Sequence, residues 1–172
     1  GAKLVRANLY RADLTNANLR SADLNGADLN GANLEGAGLR EANLTGASFT
    51  KTDLHGANLQ GAIAPGAFFA RANLASAKLD AANLENACLI GANLHGANLT
   101  AANLQGADLS GADLTGANLR RARTTGIVAD VETAGFWPVA PETGSFTMYK
   151  YLRERLTAKL LVPEDAQRSS AT

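Results

Sequence analysis

A period of five residues dominates the sequence: leucine recurs at every fifth position from Leu4 to Leu119. Aligned on this central residue, the unit reads Ala-Asn/Asp-Leu-x-x, and twenty-five such units follow one another without insertion between residues 2 and 126. Within the leucine run, three centres carry another residue: Phe49, Ala64 and Phe69. Such strict repetition indicates one small unit stacked many times rather than a round core.

Five residues is the wrong spacing for either common element. On an α-helix each step of five turns the leucine by roughly 140°, and on a flat strand an odd step moves it to the opposite face. The chain must therefore bend once per unit, so that every central residue and the alanine two positions earlier face one axis. Thirteen units have Gly at the second position after the centre, where a type II turn needs positive φ, and Pro65-Gly66 is the sharpest such signal.

The tandem Ala-Asp/Asn-Leu-x-x unit resembles the pentapeptide repeat family. The likeness covers about three quarters of the chain, and twenty-one of the twenty-five centres are leucine. The resemblance implies an all-β fold, a right-handed quadrilateral β-helix with four pentapeptides per coil and about six coils. At a strand spacing of roughly 4.8 Å, this solenoid is a rod on the order of 30 Å long.

With twenty residues per coil, residues twenty apart in the sequence stack in columns. Phe49 then lies under Phe69 inside the rod, and Ala64 lies between Leu44 and Leu84 in another interior column. We expect Phe69 to fill the space that Ala64 leaves in the same coil.

The residue before each centre faces outward, and eleven units have Asn there and six have Asp. One column reads Asp13, Asn33, Asp53, Asn73, Asn93, Asp113. We interpret it as a structural ladder whose side chains bond to neighbouring backbone or to each other. His55 and His95 share another column, but Ala75 between them puts them roughly 10 Å apart, too far for one metal to bridge. We predict no catalytic, cofactor or metal site.

One outward region is apolar instead of polar. We call it the apolar patch, and it consists of Ile63, Pro65, Phe68, Ala70, Cys88 and Ile90. Phe68 and Cys88 replace the usual Asn or Asp in one column, and nothing in the repeat frame would activate Cys88 as a catalytic thiol. Outward apolar side chains gathered over two coils predict a protein interface. The alternative is that the C-terminal tail folds back and covers them.

The charge balance restricts the class of partner. The repeat region has eleven basic and ten acidic residues, whereas nucleic-acid binders have a clear basic excess with aromatic platforms, so we do not expect nucleic-acid binding. Some members of the family resemble the DNA duplex, bind type II topoisomerases such as gyrase and protect them from quinolones. That mimicry needs a strongly acidic rod, so it is an alternative here rather than the first expectation.

The repeat fails after Arg123, and we expect residues 1–126 to form the β-helix and residues 127–172 a small cap of mixed helical and extended structure. Val128, Val131, Phe136 and Trp137 are suited to covering the last coil, and apolar spacing predicts a helix from Phe146 to about Leu156. The capping or dimerisation candidates are Phe136, Trp137, Phe146, Tyr149, Leu152 and Leu156. A terminal helix makes a homodimer in many pentapeptide repeat proteins, so the resemblance implies end-to-end pairing.

Residues 141–150 and 160–170 also resemble a C-terminal module that follows pentapeptide repeats in some phage and bacterial proteins. In proteins with that module, the chain continues beyond the segment that is matched here. The present sequence also begins in mid-repeat and has its only methionine at Met148, so we expect a piece of a longer protein. Without a membrane span, a secretion signal or a second cysteine, we expect a cytoplasmic location.

The sequence favours a non-enzymatic scaffold that mediates protein–protein interaction. DNA mimicry and an enzyme sited in the tail are the alternatives.

Overall fold

The computed structural model describes residues 1–130 and 132–135. Within them there is no helix and no extended strand, because successive coils are joined by isolated parallel bridges of one residue each. From Lys3↔Asp23 to Asp108↔Val128, every bridge joins residues twenty apart, so one coil contains four units. The repeat solenoid expected from the sequence is therefore confirmed.

The described part of this solenoid has four faces and six full coils, followed by the beginning of a seventh. Faces 1 to 4 are the columns of units centred on Leu4, Leu9, Leu14 and Leu19, each continued at intervals of twenty residues. Coil 1 is residues 2–21 and each later coil begins twenty residues further on, so coils 4 and 5 are residues 62–81 and 82–101. Coil 7 begins at Ala122.

In coils 2 to 5, the backbone N–H groups of a unit that has Asn or Asp before its centre have a fixed set of acceptors. Two of them bond to the neighbouring coil above, one bonds to the coil below, one closes the corner turn and one bonds to the unit's own Asn or Asp side chain. In the unit of residues 72–76 the acceptors are, in order, Phe69 O, Thr52 O, Asn93 O, Asn73 Oδ1 and His95 O. Because the pattern leaves no donor unpaired, a very short unit can repeat without long strands.

The corner of each unit is a turn with positive φ. All twenty-five residues at the second position after a centre have φ between 52° and 70°, and twelve of them are not glycine. The next N–H donates to the central carbonyl, as from Ala77 to Leu74 at 3.0 Å, which is the bond of a type II turn. At Gly56 an added Cβ would meet nothing within 4 Å. The space at this position varies from coil to coil, because a Cβ added at Gly36 or Gly106 would meet the Asn side chain of the coil below.

The interior consists of stacked leucine and alanine columns that are buried throughout coils 2 to 6. The Phe49 and Phe69 rings stack with centroids 4.8 Å apart and planes 7° from parallel, which confirms the predicted interior pair. Ala64 is also fully buried. Thr52, the one exception to alanine two places before the centre, is buried with its hydroxyl donating to the Leu29 carbonyl at 2.6 Å.

The solenoid pattern continues past residue 126 as far as Ala134, which bridges to Asp113. These two residues are twenty-one apart, so coil 7 contains one extra residue. Ile127 is buried there, whereas Val128 lies on the outside of face 2 and is 40% exposed, so its predicted capping role is wrong. The reason is register, since Val128 occupies the outward position before a centre.

The predicted terminal helix lies outside the described residues, as do Val131 and the cap and dimer candidates Phe136, Trp137, Phe146, Tyr149, Leu152 and Leu156. In the part of the chain that the structure describes, no helix is long and apolar enough to cross a membrane.

Candidate interaction surfaces

The Asn and Asp side chains before the centres complete the backbone hydrogen bonding. In every unit that has one, eleven with Asn and six with Asp, the side-chain Oδ1 accepts the N–H two residues later. The predicted ladder on face 3 is confirmed as well, because Asn73 donates to Asp53 Oδ1 and Asn93 donates to Asn73 Oδ1. These columns therefore have a structural role.

Eight of the twenty-five units lack Asn or Asp before the centre, which leaves the outward N–H without its usual acceptor. The Thr50 N–H uses Asn30 Oδ1 of the coil below instead, and Pro65 has no N–H to satisfy. Among residues 1–130 and 132–135, the other six N–H groups have no protein acceptor, and they belong to Val5, Arg40, Ala70, Asp80, Ile90 and Thr125. Of these six, only Ala70 and Ile90 lie on successive coils of the same face.

The apolar patch contains this pair of free N–H groups. Phe68 and Cys88 bridge each other on face 2, and Ile63 lies at the same level on face 1. The exposed fractions of Ile63, Phe68 and Ile90 are 48%, 50% and 43%, while Pro65, Ala70 and Cys88 are partly buried. The structure therefore brings all six predicted residues together on the outside of coils 4 and 5.

Basic side chains border the patch along the corner that follows face 2. Lys51 and Arg71 stack there in coils 3 and 4, and the Arg71 Cγ lies 3.5 Å from the point where a Cβ on Gly91 would stand. The Arg71 side chain therefore extends over coil 5, beside Ile90. The two ion pairs between described residues join Glu41 to Arg20 at 3.5 Å and to Arg40 at 3.2 Å, and they lie on face 4 in coils 1 and 2, away from the patch's coils. Neither corner cation has a carboxylate partner in this part of the chain.

A family model for pentapeptide repeats matches residues 1–31, 27–63, 52–91 and 92–123. The chain belongs to the pentapeptide repeat family. A search of the curated proteins finds no match.

Solved structures of other pentapeptide repeat proteins are similar to this one. Rfr23 from the cyanobacterium Cyanothece 51142 is 38% identical with a TM-score of 0.54, over 56% of this chain and 65% of Rfr23. HetL from the cyanobacterium Nostoc sp. strain PCC 7120, a protein involved in heterocyst differentiation regulation, is 36% identical with a TM-score of 0.43, over 76% of this chain and 66% of HetL. The chain thus spans less than two thirds of the length of either protein.

QnrB1, a plasmid-mediated fluoroquinolone resistance protein, is 20% identical with a TM-score of 0.35, over 82% of this chain and 86% of QnrB1. At these values the likeness to QnrB1 carries no argument about function.

Face 3 of this pentapeptide repeat protein is acidic. Its outward residues include four carboxylates and no Lys or Arg, and the carboxylates are Asp13, Glu35, Asp53 and Asp113. Hydrogen bonds from the side chain and the N–H of Thr15 hold the pKa of Asp13 below its ordinary value, and Thr115 does the same for Asp113. The row is interrupted at coils 4 and 5 by Asn73 and Asn93, so the acidic stripe is not continuous.

The two predicted solvated histidines also lie on face 3. Both rings are on exposed residues, and each backbone N–H donates to the Asp53 or Asn93 side chain of its own unit. Among the described residues no three His, Cys, Asp or Glu side chains are grouped so that they could hold a metal ion.

Proposed function

We propose that this pentapeptide repeat protein is a non-catalytic, rigid scaffold, a right-handed square β-helix that binds a protein partner through the apolar patch. The supporting observation is the exposure of Ile63, Phe68 and Ile90 within two adjacent coils. Each of them is about half exposed, so burying the rest of one side chain would stabilise a complex by about half of the 1.5–3 kcal/mol of full burial. Three such side chains close together on one rigid surface are typical of a protein-binding patch.

The solenoid is suited to holding this surface in a fixed shape. Each of coils 2 to 5 is bonded to both neighbours at every unit, as by the Lys78 N–H to Ala57 O bond at 2.9 Å and the Leu79 N–H to Asn98 O bond at 2.7 Å. A partner therefore meets a preformed surface and loses little free energy to ordering it.

Acidic substitutions on the patch test this proposal. We expect Phe68→Glu and Ile90→Glu to abolish the complex recovered with the tagged full chain from its native host. Both side chains point outward, so the midpoint of thermal unfolding should stay near that of the wild type. Val5→Glu is the matched control, because Val5 is 49% exposed but lies in coil 1 on face 1.

Two results would contradict this interface. One is a complex that survives both patch substitutions. The other is a lower unfolding midpoint for Phe68→Glu with Val5→Glu unchanged, since that pattern means the chain's own tail covers Phe68.

Homodimerisation through the residues after Gly135 is a separate part of the proposal, based on the apolar spacing of that segment. Light scattering should give twice the chain mass for the full protein and a single mass for a chain that ends at Gly135. Equal masses would remove the terminal dimer.

The acidic face 3 favours one alternative, binding of a type II topoisomerase by imitation of the DNA duplex. Asp13, Glu35 and Asp53 lie on three consecutive coils of that face, and the cations nearest to them in the chain are Arg11 and Lys51 at the corner between faces 2 and 3. Gyrase supercoiling measured with increasing protein is the test. Inhibition or quinolone protection that is lost on joint substitution to Asn, Gln and Asn would support mimicry, and an unchanged supercoiling rate would exclude it.

A further inference from the structure

We propose that the apolar patch recognises an acidic and apolar peptide segment of its partner. One partner carboxylate accepts the N–H groups of Ala70 and Ile90, and a neighbouring apolar side chain packs on Phe68. This inference rests on the proposed function and adds the chemistry of the partner.

The other units of the solenoid show which acceptor these N–H groups bind. In seventeen units the equivalent N–H donates to a carboxylate or amide oxygen of an Asn or Asp side chain, as from His95 to Asn93 Oδ1 at 3.0 Å. At Ala70 and Ile90 that oxygen is missing because Phe68 and Cys88 stand in its place. An oxygen brought by a partner would restore the bond that the rest of the solenoid makes internally.

The spacing of the two donors fits a single carboxylate. Ala70 and Ile90 occupy the same position on successive coils, and their units are joined by the Phe68↔Cys88 bridge. Their N–H groups are thus roughly 4.8 Å apart and point to the same side. A carboxylate has two acceptor oxygens, so it can bond to both donors, which one amide oxygen does less well.

Charge at the face 2 end of the patch, where the two free N–H groups lie, favours an acidic ligand over a neutral one. Lys51 and Arg71 border this end, and the units of face 2 in coils 3 to 5 contain no Asp or Glu, whereas Glu85 stacks on Pro65 at the face 1 end. The nearest carboxylates of that face are Asp28 in coil 2 and Asp108 in coil 6. A second copy that met this one face 2 end to face 2 end would bring the same cations together, so self-association through the donor ends is disfavoured.

A pair of matched peptides tests the inference on the full, 15N-labelled chain. The probes are acetyl-Gly-Leu-Glu-Leu-Gly-amide and the same peptide with Gln in place of Glu. We expect the amide protons of Ala70 and Ile90 to move downfield saturably with the Glu peptide. Bonds to a charged acceptor are stronger by about 1.4 kcal/mol or more, so the Gln peptide should bind about tenfold more weakly or worse.

Two substitutions of one residue provide the matched control. Cys88→Asn supplies an oxygen for the Ile90 N–H, as Asn93 does for His95, so it should weaken the Glu peptide about tenfold. Cys88→Ala removes the thiol without supplying an acceptor and should bind like the wild type. Arg71→Gln should reduce the difference between the Glu and Gln peptides.

Two outcomes would overturn the inference. Equal affinity for both peptides would mean that the patch binds apolar groups without reading the carboxylate, and the proposed interface would stand. Amide shifts that leave Ala70 and Ile90 unaffected would refute this recognition mode. The proposed interface would then be judged by the Phe68→Glu pull-down alone.

Discussion

A single asparagine in the face 3 ladder makes three hydrogen bonds. Asn73 Oδ1 accepts the Ala75 N–H at 3.3 Å and the Asn93 amide at 3.2 Å, and Asn73 Nδ2 donates to Asp53 Oδ1 at 3.0 Å. The side chain therefore joins three coils and satisfies one backbone donor. Its polarity is needed for the fold, and this explains why so regular a polar surface is a poor guide to a ligand site.

Asn73→Ala should lower the free energy of unfolding by about 1–3 kcal/mol, because it removes these three bonds. Cys88→Ala is the control at the same repeat position, and it should change stability by less than about 0.5 kcal/mol, since no hydrogen bond of the Cys88 side chain is found among the described residues. Urea unfolding of both variants measures the difference. A loss in Asn73→Ala no larger than that in Cys88→Ala would show that the ladder bonds contribute nothing net.

The sequence predicted which residues stack, but it did not predict which outward donors stay free. Phe49 over Phe69 and Asp53 beside Asn73 follow from counting twenty residues, because every unit has the same length. The free N–H groups of Ala70 and Ile90 depend on a bond from the side chain before the centre to the N–H after it. The repeat period does not reveal that bond. The only sequence signal for the free N–H groups was the replacement of Asn or Asp by Phe68 and Cys88.

At the level of a single coil, coil 7 shows how the solenoid accommodates an extra residue. The Gly111 N–H bonds to Asp130 Oδ1 at 2.9 Å, whereas Gly91 in the coil below bonds to the Ser110 carbonyl. The Thr133 hydroxyl lies 3.0 Å from both Asp130 Oδ1 and the Leu109 carbonyl, so these two acceptors share its one proton. The sequence could not reveal this, because the repeat is no longer recognisable there and a carboxylate replaces a carbonyl.

Protonation of Asp130 should release the Gly111 amide. The Gly111 N–H bond is the largest cause that holds the pKa of Asp130 below its ordinary value, with further bonds from Thr133 and Glu132. A lowered pKa means that this stabilisation is present above the unfolded value of about pH 4 and is lost as the pH falls through the folded value.

The Gly111 amide proton shift, followed by NMR from pH 7 to pH 2, measures this titration. We expect a midpoint below about pH 4 in the wild type. Asp130→Asn keeps an acceptor oxygen and should abolish the step. A Gly111 titration that persists in Asp130→Asn would assign the acid sensitivity to another carboxylate.

Across the whole molecule, the units are alike, so the stability of the rod and the arrangement of its surface residues can change separately. Stability in stacked repeats is close to a sum over units and their neighbours, so a unit can be removed without destroying the rest. Every removal that is not a whole coil nevertheless rotates all later coils by one or more faces. Fold and surface can therefore be changed independently in this protein.

Deleting residues 77–81 removes one unit, and it should keep a cooperative fold while it places Asn93 rather than Cys88 above Phe68. Ile90 then leaves the face of Ala70, and we expect binding of the host partner and of the Glu peptide to be lost. Deleting residues 92–111 removes twenty residues and preserves the Phe68↔Cys88 column, so it should lower the unfolding midpoint yet retain binding. Circular dichroism and the peptide titration measure both properties. Wild-type affinity after the five-residue deletion would show that the stacked pair is not the recognition element.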